Sequence, residues 1–426
     1  MTRVQQCLFC CYLLLMHLLS PLWHYILNRR LHRGKETLQS IAQKCSAVLP
    51  PRPQAPIIWG HAVGVGEVLA LAGLFATLAE RLPKHHFLIT SSANTSGQVL
   101  NKGQIPPRCT HQFAPLDTPK AIKLFLTHWQ PTLAIVCELD LWPGLIYLTH
   151  RSHISMYLIN ARLSHSTLHR KKRFKYCYQT ILSCFDTIYC QNNDTYAGFI
   201  TLGISSTHLQ VNGSIKALAH PLTVDTTEFA QLNTRLNQRP CWLMASSHEG
   251  EEKIALAAHT LICQTIPNAL LLIAPRYPKR GDALAHEYHL NTVQRSKGYF
   301  FSDNDAVYLC DTIGELGLWY SLSQIALIGG SIAKVGGHNP YEALLLNCAV
   351  LQGIHTDNFK EVYEDLIQRG LAQIVYDAND ISDAVITAFS LPKQNDNNKN
   401  LNTALNTVFE PMLNKLVIAA NSRLGY

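Results

Sequence analysis

Trp59-Gly-His-Ala-Val-Gly-Val-Gly-Glu67 is the stretch whose reading decides the fold. Ahead of it, Ile57, Ile58 and Trp59 read as a short buried strand. Behind it, Val68 to Glu80 reads as a helix of strong formers. Gly64 and Gly66 stand where the strand turns sharply into the helix, and there the backbone must come close to something. Glu67 falls in the first turn of that helix, where the positive end of the dipole favours an ionised carboxylate. A charged carboxylate at the lip of a Gly-rich loop is a candidate general base or cation ligand. A glutamate that merely starts its helix is the plain alternative.

Outward from this stretch, strand and helix signals alternate. Phe87–Thr90, Leu133–Cys137, Ser155–Ile159 and Thr187–Gln191 read as strands, and Pro119–His128 as a helix. Their carboxyl ends carry Ser92, Glu138, Asn160 and Gln191. Strands with polar tips separated by helices mean a parallel doubly wound sheet, which binds ligands beyond the strand carboxyl ends. Residues 217–240 lack long apolar runs and carry Pro221 and Pro240, so they are read as a linker between domains at 36–216 and 241–395. In the second domain Cys241–Ala245 and Leu270–Ala274 are strands ending in Ser246-Ser-His248 and in Pro275-Arg276. An arginine at a strand tip suits a phosphate or carboxylate. Ala306–Leu309 leads to Asp311 and Glu315; Ile325–Ile328 leads to Gly336-Gly-His-Asn-Pro-Tyr-Glu342. Asn339 reads as an N-cap, Pro340 as the first helical residue, and Gly336 and Gly337 as a source of open N–H groups for an anion. A capped helix that needs glycine for its turn is the alternative. Residues 396–426 read as a terminal helix packing back on the first domain.

A chain of 426 residues, 47% hydrophobic, is too long for one ordinary core. Its formal charge of +7 is moderate and is no nucleic-acid signal by itself. Thirteen cysteines without a paired framework imply reduced thiols. The twenty histidines show no metal-ligand spacing; His165 and His169 lie in a basic run, and no metal site is expected. Residues 7–27 carry no Asp, Glu, Lys or Arg, and Arg29, Arg30, Arg33 and Lys35 follow. That length spans a bilayer, with the bulk of the chain on the cytoplasmic side. A cleaved signal peptide is a rival, opposed by the lack of a small-x-small site. His17, Pro21 and His24 keep an in-plane helix open as well. Arg162 to Lys175 holds six Lys or Arg and no acid, which suits anionic headgroups or a phosphorylated acceptor.

The motifs together resemble the Kdo (3-deoxy-D-manno-oct-2-ulosonic acid) transferases of Gram-negative lipopolysaccharide synthesis, over nearly the whole chain. The family's W-x-H-A-x-S-V-G-E is matched by Trp59, His61, Ala62, Val65, Gly66 and Glu67. Its E-T-E-L-W-P is Glu138-Leu-Asp140-Leu-Trp142-Pro143, and its N-A-R-L-S is Asn160 to Ser164. Its A-S-T-H-E-G-E-E is Ala245 to Glu252, its P-R-H-P-E-R is Pro275 to Arg280, its D-T-x-G-E-L-G is Asp311 to Gly317, and its G-G-H-N-P-L-E is Gly336 to Glu342. The resemblance implies two Rossmann-like domains of GT-B type with an N-terminal membrane-anchor helix (1–35 with its basic flank). It implies a bacterial inner-membrane enzyme that moves Kdo from CMP-Kdo to a lipid A precursor (lipid IVA) with inversion and without a metal. Glu67 matches the general base. Glu138, Asp140 and Arg162 would stand on the acceptor side. Lys216, Ser246, Ser247, His248, Arg276, Asp311, Glu315, Gly336, Gly337, His338, Asn339 and Glu342 would line the donor side. The sequence departs from the pattern at Gly64 (Ser in the family), Asp140 (Glu), Tyr277 (His), Lys279 (Glu) and Ile354 (Pro). A transferase or epimerase for a UDP-sugar, and an inactive membrane-attached homologue, remain open alternatives.

Overall fold

A computed structural model describes residues 3–100, 105–163, 167–168, 174–218, 221–288, 293–391 and 397–422. The chain divides into two compact units, Met1–Ala219 with Leu405–Tyr426, and His220–Ala404. Each is an α/β unit around a wholly parallel sheet.

In the first unit the strands are β1 (Ile57–Ala62), β2 (His86–Ser91), β3 (Cys109–Phe113), β4 (Pro131–Cys137), β5 (Ser155–Ala161), β6 (Thr187–Cys190) and β7 (Leu209–Val211). Their order is β3-β2-β1-β4-β5-β6-β7. All six residues of β1 are buried, as a central parallel strand covered on both faces requires. Helix Val65–Arg81 lies against β1, and an added Cβ on Gly60 would strike Phe75 and Leu71. The order reverses between β1 and β4, and that is where doubly wound sheets bind ligands. Helix Asn397–Asn421 enters this unit from Leu405 onward, burying Phe409, Met412, Leu413 and Leu416 and pairing Glu410 with Arg81 at 2.8 Å.

The second unit repeats the plan with β8 (Cys241–Ser247), β9 (Leu270–Pro275), β10 (Val293–Gln294), β11 (Val307–Leu309), β12 (Ile325–Ile328), β13 (Ala349–Gln352) and β14 (Ala372–Ile374). The order is β10-β11-β9-β8-β12-β13-β14, with the reversal between β8 and β12.

Two expectations change in detail. The boundary between the units falls inside 217–240, after Ala219, and the segment also holds a helix: Asp225 caps Thr226–Leu236, which buries Leu232 and Leu236 and pairs Glu228 with Arg295. The apolar amino terminus is not one helix. Helices Arg3–Leu18 and Ser20–His32 meet at a 55° bend, with Pro21 in the first turn of the second. No single helix among the described residues is long and apolar enough to cross a membrane, and only the bent pair has the length and composition. The basic run falls largely on residues 164–166 and 169–173, outside the described residues.

The second unit hangs on a buried carboxylate. Glu251, 1% exposed, accepts the N–H groups of His248, Gly330, Ile332 and Ala333 at 2.8–3.0 Å. It joins the loop after β8 to the loop after β12. Truncation to Ala strands four backbone donors, at about 1–3 kcal/mol for each that stays buried. Glu251→Ala is expected to lower the stability of the second unit by at least about 4 kcal/mol in denaturant unfolding followed by circular dichroism. A change below about 1 kcal/mol would show that the two loops do not depend on this carboxylate.

Candidate active site

In the first unit the site forms where β1 and β4 lie side by side, His61 opposite Val136. β1 runs into the turn that opens helix Val65–Arg81, and Glu67 sits at its third position. The half-buried carboxylate of Glu67 accepts the N–H groups of Val63 and Gly64 at 3.0 and 3.1 Å. This is one half of a capping box; the other half needs a hydroxyl at position 64, and glycine has none. Glu138, just past β4, lies within the electrostatic reach of Glu67. Burial, and next the negative charge of Glu67, push the Glu138 carboxyl up to about 7, against the pull of Lys216 and Arg162.

Asn160 organises this corner. Its Nδ2 donates to Glu138 Oε1 at 3.2 Å, and its Oδ1 accepts from Ile215 N at 3.1 Å, which fixes the short turn Ile215–Leu218 carrying Lys216. Glu138 and Asn160 both hold left-handed backbone, φ +61° and +56°, which turns their side chains back across the strand ends. Lys216, grouped above with the donor residues, therefore belongs to the first unit beside Glu138. Asp140 faces inward: its Oδ2 accepts from Trp142 Nε1 at 2.6 Å and lies 3.3 Å from His61 Nε2. His61 reaches Thr90 at 3.0 Å, and Trp59 donates to the same hydroxyl at 2.9 Å. The motif residues Trp59, His61, Asp140 and Trp142 are thus one network under the loop, and Asp140 holds them rather than standing free. Arg162 is exposed nearby.

In the second unit the reversal point carries a pair of imidazoles. His248 and His338 stack with ring centres 5.1 Å apart, and their Nε2 atoms are 2.8 Å apart, so one donates and the other accepts. Burial, followed by the charges of Arg276 and His248, pulls His338 down to about 4, which keeps it neutral near pH 7. Arg276, at the end of β9, is exposed, and its guanidinium has no hydrogen-bond partner among the described residues. It lines a cleft of about 460 Å³ with Ser246, Tyr277, Thr312, Ile313 and Trp319. The size suits a nucleotide. Tyr277 and Ile313 offer exposed apolar surface there.

Other expected donor residues turn inward. The Gly336 and Gly337 N–H groups both donate to Gly330 O, at 3.0 and 2.7 Å, so they are not open to an anion. The helix behind them, Tyr341–Leu344, has four residues and begins after Pro340; Asn339 Oδ1 accepts from Tyr341 N at 3.2 Å. Glu342 is half-buried, 3.5 Å from Asn339 Nδ2. Ser247 is fully buried and donates to Glu252 at 2.7 Å, which also binds Arg280. Asp311 is buried and ties down Ser296 through N and Oγ, at 2.9 and 2.7 Å. Glu315 is chelated by Arg295 and bonded by Thr312; burial opposes its charge, but those two partners prevail and hold it below the usual carboxylate range. Neither Ser247 nor His248 caps the helix Glu251–Thr265, which starts after Gly250 at φ +91°. Glu251 itself was missed as a site organiser: one burial-bound acid among three near a helix start leaves no mark in the sequence.

The match to known proteins is decided by the chain's relatives. A family model described as 3-deoxy-D-manno-octulosonic-acid transferase (kdotransferase) matches residues 32–219. The 3-deoxy-D-manno-octulosonic acid transferase of Haemophilus influenzae is 36% identical over 340 residues, 79% of this chain and 78% of that protein. The chain belongs to the Kdo transferase family. The Rickettsia bellii member is 29% identical over 84% of this chain and 85% of its own. A Kdo transferase is a glycosyltransferase, and the two parallel-sheet units are of GT-B type. Among solved structures, UDP-GlcNAc 2-epimerase from Neisseria meningitidis shares the fold, with TM-score 0.55 and 16% identity over 84% of this chain and all of that one.

Position 64 offers a test of the site's geometry. An added Cβ would meet Glu67 Oε1 at 3.5 Å, an ordinary contact, and φ −84° with ψ 163° suits any residue. Gly64→Ser is expected to complete the capping box and raise the midpoint of thermal unfolding by about 1–2 °C. A fall in the midpoint would mean that the turn has no room for the side chain.

Proposed function

We propose that this Kdo transferase moves Kdo from CMP-Kdo to the 6′-hydroxyl of a lipid A precursor, lipid IVA, with inversion at the anomeric carbon and Glu67 as general base. The observation that carries the reading is the position of Glu67. It is a half-buried carboxylate at the reversal point of the first sheet, and both backbone N–H groups that fix it fall on Oε2. Direct displacement needs one base and a stabilised leaving group, and no metal enters the scheme. Arg276 and the His248–His338 pair supply cation and donors for the phosphate of CMP. Tyr277 and Ile313 give a base a surface to rest on.

The same reading places the protein on the cytoplasmic face of the bacterial inner membrane. Val4, Leu8, Leu14, Leu15, Leu18 and Leu22 are exposed along the bent helix pair, and Arg29, Arg30 and Arg33 follow. The opposite side of the first helix is docked: Phe9 stacks on Tyr147 at 4.2 Å, and Tyr12 donates to Asp117 at 2.6 Å. A helix held along one side by its own protein favours lying in the interface over crossing the bilayer.

Glu67→Gln is expected to lower transfer at least about 100-fold, with folding and CMP-Kdo affinity retained. Transfer within about tenfold of the parent enzyme would remove Glu67 from the role. Arg276→Ala is expected to weaken CMP binding about tenfold or more by calorimetry, with CMP preferred over UMP and UDP in the parent. Equal affinities for the three nucleotides would point to a different donor.

A further inference from the structure

One side chain at the first-unit corner meets two opposite demands. Asn160, the penultimate residue of β5, is fully buried. Its Nδ2 donates to Glu138 Oε1 at 3.2 Å, and its Oδ1 accepts from Ile215 N at 3.1 Å. Ile215 is fully buried as well, so its N–H needs an acceptor from the protein. That N–H decides how the amide points: oxygen to Ile215, nitrogen to Glu138. An aspartate carboxylate in its place could accept but not donate. Asparagine does both through separate atoms.

The backbone narrows the choice further. Position 160 holds φ +56°, which asparagine tolerates better than most residues. Its carbonyl accepts Gln191 Nε2 at 3.1 Å, which ties it to the end of β6. Glu138, also left-handed, donates its own N–H to Ile159 O at 2.9 Å. Consecutive residues of β5 therefore hold Glu138 at both ends, backbone and carboxylate. The same amide holds the turn Ile215–Leu218, whose Lys216 stands within electrostatic reach of Glu138. Groups fixed in this way lose little freedom when a ligand arrives.

Resting on the reading that this corner receives the lipid acceptor, we propose that Asn160 is a positioning residue for transfer: its amide sets the Glu138 carboxylate that engages the acceptor sugar, and holds the Lys216 turn beside it. A carboxylate engages a sugar by accepting from its hydroxyl groups, and an ammonium donates to hydroxyl or phosphate oxygens. Asn160 acts on the reaction through the two groups it holds.

The test is steady-state transfer from CMP-Kdo to lipid IVA by full-length protein in detergent. Parent, Asn160→Asp, Glu138→Gln and the double variant are compared. Asn160→Asp keeps the acceptor for Ile215 N and removes only the donor to Glu138. It is expected to lower kcat/KM for lipid IVA at least about tenfold, with KM for CMP-Kdo within about twofold of the parent. In the Glu138→Gln background the new amide can donate to the new carboxylate, which restores the hydrogen bond in reverse. There Asn160→Asp is expected to cost less than about threefold. A residue that only supports the fold would cost the same factor in both backgrounds, so equal factors overturn the proposal. So does an Asn160→Asp enzyme within about threefold of the parent. If Asn160→Asp does not fold, Asn160→Gly takes its place, since glycine accepts φ +56°. The expected loss is again at least about tenfold in kcat/KM for lipid IVA, with KM for CMP-Kdo unchanged. An undiminished value, or loss of the fold in this variant too, overturns the proposal. A parent enzyme that moves no Kdo to lipid IVA sinks the reading of the corner and the proposal together. A parent that transfers, with equal factors in the two backgrounds, sinks the role of Asn160 alone.

Discussion

The parallel pairing of β1 with β4 is the constraint from which the chemistry of this chain follows. Parallel strands all point their carboxyl ends the same way, and the reversal of strand order leaves an open corner at one place only. β1 brings its helix start and Glu67 to that corner, and β4 brings Glu138. Neither residue chooses its partner; the register does. Asn160 on the next strand then anchors Glu138 and the turn of Lys216 with a single side chain. One amide thus fixes the spacing between an acid and the cation that tempers it.

The second unit solves the same geometric problem with a different device. There the two loops that meet at the reversal point, after β8 and after β12, are drawn together by the four N–H groups on Glu251. A buried charge is tolerable when it is fully hydrogen-bonded. An added Cβ on Gly329 would lie 2.2 Å from Ser246 O, so the close approach of the loops also demands glycine there. His248 and His338 stack as a result of that approach.

Much of this was legible in the residues. Alternating apolar strands and helices, with polar tips at the strand ends, were enough for two doubly wound sheets, and the helix-start position of Glu67 follows from two glycines and a run of helix formers. Partnerships were not legible. Nothing in the order of residues says that Asp311 ties Ser296, that Glu315 belongs to Arg295, or that Gly336 and Gly337 spend their N–H groups on Gly330. These are contacts across tens of residues, set by how loops fold over strand ends. Acids and glycines in such loops look alike whether they face a ligand or the protein itself. The helix inside the linker was hidden for a related reason: Thr226–Leu236 buries only Leu232 and Leu236, too few apolar residues for a helix to announce itself.

Asp117 accepts the Tyr12 hydroxyl and the Gly144 N–H on Oδ2 and the Leu145 N–H on Oδ1. The same carboxyl thus ties the amino-terminal helix to the start of helix Pro143–Arg151, immediately after the Asp140–Trp142 network. A helix clamped at that point has no swivel. It holds the exposed Leu8, Leu15 and Leu18 at one bearing to the first unit, as a keel is held to its hull.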